Sequence, residues 1–227
     1  VLDALPVDRV RGAASCLQEV RVGLDGDRLV ETCVPAGREL QDLLQKRLPA
    51  GMTDLAPGHE VEMCPTLGRF LAAVSRLIGR GYLLVVDYGH EIRERFHPSR
   101  RRGTMLAYRR HQASEDLLGF VGEQDLTSHV DFSALKKEAA AFGFRQAGCI
   151  SQGRFLLALG LGERIEALEV EPISETERTR RRLAMASLVR PGGMGDLFRV
   201  WIAVREAPAK LRGLAEPFSS LQETGPV

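Results

Sequence analysis

An amphipathic helix that leads into an apolar strand is the feature that most constrains the fold of this 227-residue chain. In residues 67–78, apolar side chains recur at i, i+3, i+4, i+7, i+10 and i+11, which predicts a helix with one buried face. Residues 82–86 follow after two glycines and are continuously apolar, as in a strand buried on both faces of a parallel sheet. A helix followed by such a strand predicts an α/β fold.

Turn and capping residues divide the rest of the chain into further elements. Residues 17–34 alternate apolar and polar side chains around Asp25-Gly26, which predicts a β-hairpin. The other elements predicted from periodicity and caps are helices in residues 38–48 and 132–142, strands in 145–161 and 196–206, and a loose tail from residue 207.

Charge and composition narrow the class of protein. The 31 basic and 30 acidic side chains give a net charge of +1, so no global charge favours nucleic acid. No run of 18 apolar residues is present, and we predict no membrane span. The four cysteines are scattered singly, without disulfide or zinc spacing, which is typical of reduced thiols in a cytoplasmic protein.

Three polar side chains follow the apolar strand. Asp87, Tyr88 and His90 stand in "DYGH", at the predicted carboxyl end of that strand. Open α/β sheets bind their ligands at this edge, so an acid, a phenol and an imidazole here form a candidate site. The alternative is that Asp87 caps the next turn and that Gly89 permits a positive φ angle.

The stretch "GEQDLTSHVDFSAL" carries a second group of polar residues. Asp125, Thr127 and His129 alternate, so on an extended segment they point the same way and could line a pocket. A metal site is an alternative, although His111 and Asp87 are the only obvious additional ligands.

The residue that begins the next helix has two interpretations. Asp131 is predicted to be the N-cap, accepting a hydrogen bond from the amide of Ala134. It could instead form a capping box with Ser128, because the two have S-x-x-D spacing.

An arginine-rich stretch between residues 93 and 110 invites a nucleic-acid interpretation. Aromatic residues are sparse there, and Glu91 and Glu94 dilute the charge, so a solvated loop is the preferred prediction. An acidic protein surface is as plausible a partner for this stretch as RNA.

Six motifs in order resemble one family. They are "DALPV", "GYLLVVDYGH", "GTMLAYRRH", "GEQDLTSHVDFSAL", "QGRFLLALG" and "MGDLFRV". The sequence resembles the MidA-type S-adenosylmethionine-dependent methyltransferases over residues 2–205. The resemblance implies a class I methyltransferase (Rossmann-like) α/β sheet that lacks its N-terminal strands. Residues 1–206 would be the C-terminal portion of that domain, with an inserted hairpin and helical segment at about residues 10–64.

The resemblance also implies an activity. Mitochondrial members of this family methylate an arginine of a respiratory complex I subunit during its assembly. It therefore implies S-adenosyl-L-methionine as cofactor, a protein substrate, and a location in the bacterial cytoplasm or, for eukaryotic relatives, the mitochondrial matrix. The family's E-x-G-x-G cofactor loop has no counterpart in this sequence. We expect this substrate-side half to bind the cofactor poorly alone.

Three functions are compatible with the sequence, and the preferred one is a protein-arginine methyltransferase. The alternatives are a non-enzymatic assembly module and, more remotely, a metal-dependent hydrolase. Carboxylates suit a guanidinium acceptor because they bind it with paired hydrogen bonds. The predicted catalytic residues are Asp3, Asp87 and Asp125, and the predicted substrate-binding residues are Tyr88, His111, Thr127 and His129.

Overall fold

The structure is a computed structural model that describes residues 1–215 and contains two compact units. The first unit comprises Val1–Ser75 and Gly89–Phe142. The second comprises Arg76–Tyr88 and the described residues from Gly143 onward. Part of the predicted tail, residues 216–227, lies outside the described residues.

A four-stranded antiparallel sheet forms one part of the first unit. Its strands are β1 (Asp8–Gly12), β2 (Leu17–Asp25), β3 (Arg28–Pro35) and β4 (Glu60–Met63), in the order β3-β2-β1-β4. The predicted hairpin is confirmed as β2 and β3. Asp25 pairs with Arg28, so the turn residues are Gly26-Asp27, one position later than predicted.

Helix α1 (Arg38–Gln45) provides much of the apolar core of this sheet. Leu40 and Leu44 stand four residues apart on one helical face, and both are buried. They pack with sheet and loop side chains that include Val10, Val61 and Phe96. The predicted helix after the hairpin is therefore confirmed.

The first unit contains three further helices, of which the one at residues 92–95 was not predicted. They are α2 (Leu67–Leu77), whose last two residues belong to the second unit, α3 (Ile92–Arg95) and α4 (Phe132–Ala141). The Ala134 amide donates a 2.8 Å hydrogen bond to Asp131 Oδ1, which confirms Asp131 as the N-cap of α4. Gly143 follows this helix with φ +79°, in the left-handed region that glycine adopts readily after a helix.

A small sheet and a short strand complete the first unit. The sheet contains β6 (Leu106–Arg109), β7 (Gln112–Ser114) and β8 (Asp125–Thr127), in the order β7-β6-β8. Arg110 and His111 connect β6 to β7 with φ angles of 51° and 64°, as a two-residue hairpin turn requires. Strand β9 (Val130–Asp131) directly precedes α4.

Three strands form the sheet of the second unit. Strand β11 (Phe198–Arg205) lies between β10 (Arg145–Ser151) and β5 (Gly81–His90), antiparallel to both. The last two residues of β5 belong to the first unit, where they pair in parallel with β9. The α/β fold and the final strand pair are confirmed, and the strand pairing is mixed. The strand predicted at residues 145–161 is wrong beyond Ser151, because residues 152–158 are helical.

Two predictions for β5 are wrong. Residues 87–90 lie within the strand and not after it. The strand is not buried on both faces of a parallel sheet, because its long neighbour β11 is antiparallel and Tyr82, Leu84 and Val86 are 42%, 50% and 44% exposed. An apolar run predicts a strand, whereas its neighbours depend on distant segments.

Helices and one close contact complete the second unit. The helices are α5 (Gln152–Ala158), α6 (Leu161–Ala167), α7 (Glu175–Val189) and α8 (Met194–Leu197). Of the tail predicted to be loose, residues 207–215 are described, and residues 212–214 form a single 3-10 turn. Leu214 packs so closely on Gly148 that a Cβ there would lie 2.7 Å from its Cδ2 atom.

Candidate functional site

The carboxyl end of β5 contacts the segment before α4 through backbone pairing. Gly89 and His90 pair in parallel with Val130 and Asp131. A Cβ atom on Gly89 would lie 2.2 Å from the Val130 carbonyl oxygen, so only glycine fits this approach. This close contact, and not the positive φ angle considered above, explains the glycine in "DYGH".

Two imidazoles meet at this junction in the first unit. The ring centroids of His90 and His129 are 4.8 Å apart, with a 45° angle between the ring planes. Arg100 Nε donates to His90 Nε2 over 3.2 Å, and a Glu94 carboxylate oxygen lies 3.4 Å from His90 Nδ1. The cluster therefore combines two imidazoles with one cation and one anion.

Both imidazoles of this pair are neutral at physiological pH. The pKa of His129 is lowered to about 4, chiefly by burial, and the neighbouring His90 and the positive charges of Arg100 and Arg95 contribute to this shift. Burial also lowers the pKa of His90, again helped by Arg100, while Glu94 opposes the shift. Neutral rings can accept hydrogen bonds and do not repel a cationic ligand.

Arg95 holds the His129 segment in place from inside the unit. Its side chain is 4% exposed, and Nη1 donates 2.9 Å to the His129 carbonyl oxygen. Nη2 donates 2.5 Å to the backbone carbonyl of Glu62, and Nε lies 4.0 Å from Asp131 Oδ2. The prediction of a solvated arginine loop is wrong for Arg95, because this side chain connects three buried or half-buried backbone segments.

The carboxylate of Glu62 organises the same region from strand β4. It is buried, and it accepts hydrogen bonds from the Thr104 amide (2.6 Å), the Thr104 hydroxyl (3.0 Å) and the Met105 amide (3.2 Å). Thr104 Oγ1 in turn accepts the His129 amide over 3.0 Å. Glu62 and Arg95 together therefore fix the backbone on both sides of His129.

A cavity of about 40 Å³ adjoins this network within the first unit. Its lining combines apolar, polar and charged residues: Leu2, Leu5, Val7, Leu43, Arg47, Glu62, Met63, Cys64, Leu67, Arg95, Ser128, His129, Val130, Asp131 and Ala134. A buried water needs about 10–15 Å³ of such space, so the cavity has room for about three waters and not for a nucleoside.

Two arginines that line the cavity carry buried nitrogen atoms able to donate hydrogen bonds. Arg47 Nη1 and Arg95 Nε are buried without a hydrogen-bond partner among residues 1–215. Arg47 also pairs with Glu138, and burial lowers the pKa of its guanidinium. The carboxylates of Glu62 and Asp131 already accept bonds from backbone amides, so water or another small acceptor suits this space.

The predicted residues of the first unit are distributed over two areas. Asp3 is half-buried, and its carbonyl oxygen accepts the Ser128 amide over 2.9 Å, which brings "DALPV" against the His129 segment. Asp125 and half-buried Thr127 lie on β8, and Asp125 is exposed opposite Tyr108. His111 is exposed at the tip of the β6–β7 turn, which is a different environment from the His129 cluster.

The other two predicted residues belong to the second unit. Asp87 is 3% exposed, and its Oδ1 accepts the Tyr88 amide over 3.0 Å. The Tyr88 ring packs edge to face on Phe198, with ring centroids 5.5 Å apart. A buried carboxylate therefore stands where the sequence predicted it, within the strand instead of beyond its end.

Sequence reasoning missed the residues that organise the first unit, Arg95 and Glu62. Arg95 directly precedes the buried Phe96, which hints that this helical turn faces inward. Glu62 lies between two buried apolar residues of β4 and is indistinguishable in sequence from an exposed residue of an alternating strand.

Residues 1–215 contain neither a cluster of metal ligands nor a helix that could span a membrane. Within residues 1–215, no three or more histidine, cysteine, aspartate or glutamate side chains are grouped so as to hold a metal ion. In the same part of the chain, no helix has the length and apolar character needed to cross a bilayer.

Comparisons with known proteins identify relatives of this chain. Residues 1–150 match the model of a family described as "Putative S-adenosyl-L-methionine-dependent methyltransferase". The chain is 28% identical over 201 residues to the human protein arginine methyltransferase NDUFAF7, mitochondrial, and 27% identical to the rat protein. These alignments cover 86% of this chain and 42% of each relative, so the chain spans less than half of their length.

Solved structures agree with this relationship. A protein from Burkholderia thailandensis, crystallised with S-adenosyl-homocysteine, superposes with a TM-score of 0.85 and 30% identity. The match covers 95% of this chain and 54% of that protein. A native structure from the same organism gives a TM-score of 0.84 and covers 56% of that chain. The chain therefore belongs to this family of S-adenosyl-L-methionine-dependent methyltransferases.

Proposed function

We propose that this chain is the acceptor-side part of a methyltransferase that transfers a methyl group to an arginine of a partner protein. The observation that carries the proposal is the family match over residues 1–150, a range that contains all seven predicted site residues. The names of the mitochondrial relatives support arginine as the acceptor. Because the chain spans 42% of those relatives, the activity of the whole protein is part of the proposal.

The chemistry of the acceptor agrees with the side chains in this range. A guanidinium is planar and cationic, and carboxylates bind it with two parallel hydrogen bonds. Asp3, Asp87 and Asp125 are the proposed catalytic carboxylates, which would orient the guanidinium and balance its charge as the methyl group is transferred. Buried Asp87 is the strongest of them, because a carboxylate interacts more strongly away from water.

The half-buried imidazole of His129 is proposed to contact the acceptor, and Tyr88, His111 and Thr127 stay proposed substrate-binding residues without a shared pocket being assigned. With its pKa lowered to about 4, the ring carries no charge at neutral pH. A charged imidazolium would repel an incoming guanidinium, whereas a neutral ring can accept a hydrogen bond from it. A neutral His129 would therefore not repel a cationic substrate.

The cofactor fits this chain poorly. S-adenosyl-L-methionine supplies an electrophilic methyl group when bound, but the 40 Å³ cavity cannot accept its nucleoside. No E-x-G-x-G loop occurs in the 227 residues. We therefore assign the cofactor to no residue of this chain and derive the role of these residues only toward the acceptor.

A non-enzymatic binding module is the second candidate function. The observation that favours it is the same small cavity, which has room for about three waters and not for a nucleoside. In that case the Glu62–Arg95 network would serve only to shape a binding surface. Cofactor binding in a complete family protein distinguishes the two candidates.

A chimera tests the proposed function. This chain would replace the matching part of the Burkholderia thailandensis protein, which the superposition aligns over 95% of this chain. The chimera, with S-adenosyl-L-methionine labelled on its methyl group, would be offered arginine peptides and matched peptides with lysine in place of arginine. We expect methylarginine by mass spectrometry and no labelled lysine.

Variants of the chimera assign the roles of the carboxylates. We expect Asp87→Asn and Asp125→Asn to lower turnover at least tenfold, and Asp27→Asn, in the β2–β3 turn, to leave it unchanged. Calorimetric titration with S-adenosyl-homocysteine checks that each chimera is folded. A chimera that binds this ligand but transfers no methyl group to arginine would contradict the proposal.

A further inference from the structure

Two charged side chains contact the two ring nitrogens of His90. Arg100 Nε donates a hydrogen bond of 3.2 Å to His90 Nε2. At the other nitrogen, a carboxylate oxygen of Glu94 lies 3.4 Å from His90 Nδ1. Each ring nitrogen therefore has one charged neighbour, which is a hydrogen-bond donor at Nε2 and an acceptor at Nδ1.

These two contacts determine where the imidazole proton of His90 lies. A guanidinium has only donors, so the nitrogen that it contacts must accept with its lone pair and carries no proton. The proton of neutral His90 is therefore on Nδ1, directed at the carboxylate of Glu94. A second proton would have to enter at Nε2, where it would face the N–H group of Arg100.

Arg100 is held in this position by its backbone and by a second side-chain hydrogen bond. It is the last residue of a 3-10 turn at residues 98–100, and its amide donates to the His97 carbonyl oxygen over 2.9 Å. Its Nη1 atom donates to the Glu94 carbonyl oxygen over 3.3 Å. The guanidinium is thus anchored to the backbone of α3, which keeps Nε directed at His90.

The charge state of His90 affects the neighbouring His129. The two ring centroids are 4.8 Å apart, so a charge on one ring would act directly on the other. The charged groups around the pair are Glu94, Arg95 and Arg100, with the carboxylates of Glu62 and Asp131 within 4.0 Å of Arg95. Burial and the two arginines lower the pKa of both imidazoles, and only Glu94 opposes the shift at His90, in agreement with the hydrogen-bond geometry.

We infer that Arg100 is a positioning residue that fixes the proton of His90 on Nδ1 and thereby keeps the His90–His129 pair uncharged toward a cationic acceptor. The position of the proton follows from contacts within the first unit, whereas the role toward the acceptor rests on the function proposed above. With an uncharged pair, the site accepts a guanidinium in slightly acid as well as neutral solution, because neither ring repels it. Arg100 thus has a specific role within the arginine-rich stretch.

Nitrogen-15 NMR of this chain tests the position of the proton, because protonated and unprotonated imidazole nitrogens have well-separated chemical shifts. The signals of His90 are assigned with His90→Gln, and we expect its proton on Nδ1. The test variant is Arg100→Met, which removes the donor at Nε2, and the matched control is Arg93→Met, an equal change at an exposed position of α3. We expect Arg100→Met to shift the proton of His90 toward Nε2 and to raise the pKa of His90, and the control to change neither.

A second variant gives an independent test, and circular dichroism melts check that each variant is folded. Glu94→Gln keeps an oxygen that can accept from His90 Nδ1 but removes the negative charge. We expect the proton to stay on Nδ1 and the pKa of His90 to fall, in the direction opposite to Arg100→Met, because Glu94 raises this pKa. A proton on Nε2 in the unmodified chain, an unchanged tautomer in folded Arg100→Met, or a raised pKa in Glu94→Gln would each overturn the assignment.

The pH profile of methyl transfer by the chimera tests the role of Arg100 toward the acceptor. Turnover of each variant is divided by that of the unmodified chimera at the same pH, so that the titration of other groups cancels. An imidazole with the ordinary pKa of about 6.5 loses about nine-tenths of its neutral form between pH 7.5 and pH 5.5. We therefore expect the relative turnover of Arg100→Met to fall about tenfold over this range and that of Arg93→Met to stay constant.

The two measurements separate the inference from the proposed function. A constant relative turnover of Arg100→Met, together with a shifted tautomer, would overturn the role toward the acceptor. A chimera without activity at any pH would contradict the proposed function and this role with it, whereas the NMR experiment would still decide the position of the proton.

Discussion

The carboxyl end of β5 and residues 82–86 of the same strand differ in which groups are buried and which are exposed. At the carboxyl end, in the first unit, Arg95 and Glu62 are buried, and their charged groups bond to backbone atoms of this chain. In residues 82–86, in the second unit, apolar side chains are exposed, and within residues 1–215 no strand pairs with the backbone on the side away from β11. The buried charged groups near the carboxyl end of β5 therefore bond within this chain, whereas Tyr82, Leu84 and Val86 are exposed in it.

This difference teaches which substitutions should affect folding and which should affect association. A group that is already buried and bonded contributes to the stability of the isolated chain, and its loss appears as a lower free energy of unfolding. A group that is exposed in the isolated chain contributes only when a partner covers it. The two regions can therefore be distinguished by measuring stability alone.

The largest effect is expected for Arg95→Met. This change leaves the buried Glu62 carboxylate without its cationic neighbour and the His129 carbonyl without a donor. Removal of one partner of a buried pair costs about 3–5 kcal/mol, which urea unfolding followed by circular dichroism would measure. The matched control is Arg102→Met, whose ion pair with Glu115 is 2.7 Å long but exposed, and which should cost about 0–1 kcal/mol. Equal effects of the two changes would refute the buried network.

The second-largest expected effect is a decrease in the free energy of unfolding at acid pH, caused by the protonation of His129. The pKa of His129 is about 4 in the folded chain, whereas the ordinary pKa of an exposed histidine is 6.5. Between these values the unfolded chain binds a proton that the folded chain does not, so stability falls as the pH drops from 6.5 to 4. The loss attributable to this group is on the order of 3 kcal/mol.

The variant His129→Asn isolates that contribution. It should show a smaller decrease in unfolding free energy between pH 6.5 and pH 4 than the unmodified chain, because the neighbouring carboxylates titrate in both. Titration of the imidazole carbon-bound protons by NMR gives the pKa directly. A His129 pKa near 6.5 would contradict the buried, cation-flanked environment.

A smaller effect is expected for the cap of α4. Asp131→Ala removes the acceptor of the Ala134 amide and should cost about 1 kcal/mol. Asp131→Asn keeps a good N-cap and loses only the charge near Arg95 Nε, so it should recover most of the lost stability. If both variants were equally destabilised, the charge and not the cap would explain the role of Asp131.

The smallest change in the free energy of unfolding is expected for residues 82–86 of β5. Leu84→Ala should change the free energy of unfolding by about 0.5 kcal/mol or less, because Leu84 is 50% exposed. Leu44→Ala, at a fully buried position of α1, should cost about 2–5 kcal/mol in the same assay. A large cost for Leu84→Ala would mean that this face is already covered in the isolated chain.

Features with a local cause could be predicted from the sequence. Helix α2 was predictable because its apolar residues repeat with helical periodicity, and the cap Asp131 because its side chain bonds three residues ahead. The β2–β3 hairpin was predictable apart from a one-residue shift of its turn. In each case the interaction that forms the element lies within the element itself.

Features with a distant cause could not be predicted. The burial of Arg95 depends on Glu62, 33 residues earlier, and an arginine in a basic stretch gives no sign of such a partner. The antiparallel neighbour of β5 is β11, more than a hundred residues later in the chain. Of the candidate site, the carboxylate and imidazole residue types were predictable, whereas the Arg95–Glu62 network that positions His129 was not.

Calorimetric titration with S-adenosyl-homocysteine tests most directly whether this chain needs a second polypeptide to hold the cofactor. For the chain alone, we expect no binding with a Kd tighter than about 1 mM. The chimera of this chain with the Burkholderia thailandensis protein should show stoichiometric binding with a Kd in the range of about 1–100 µM. Stoichiometric micromolar binding by the chain alone would contradict the acceptor-side assignment.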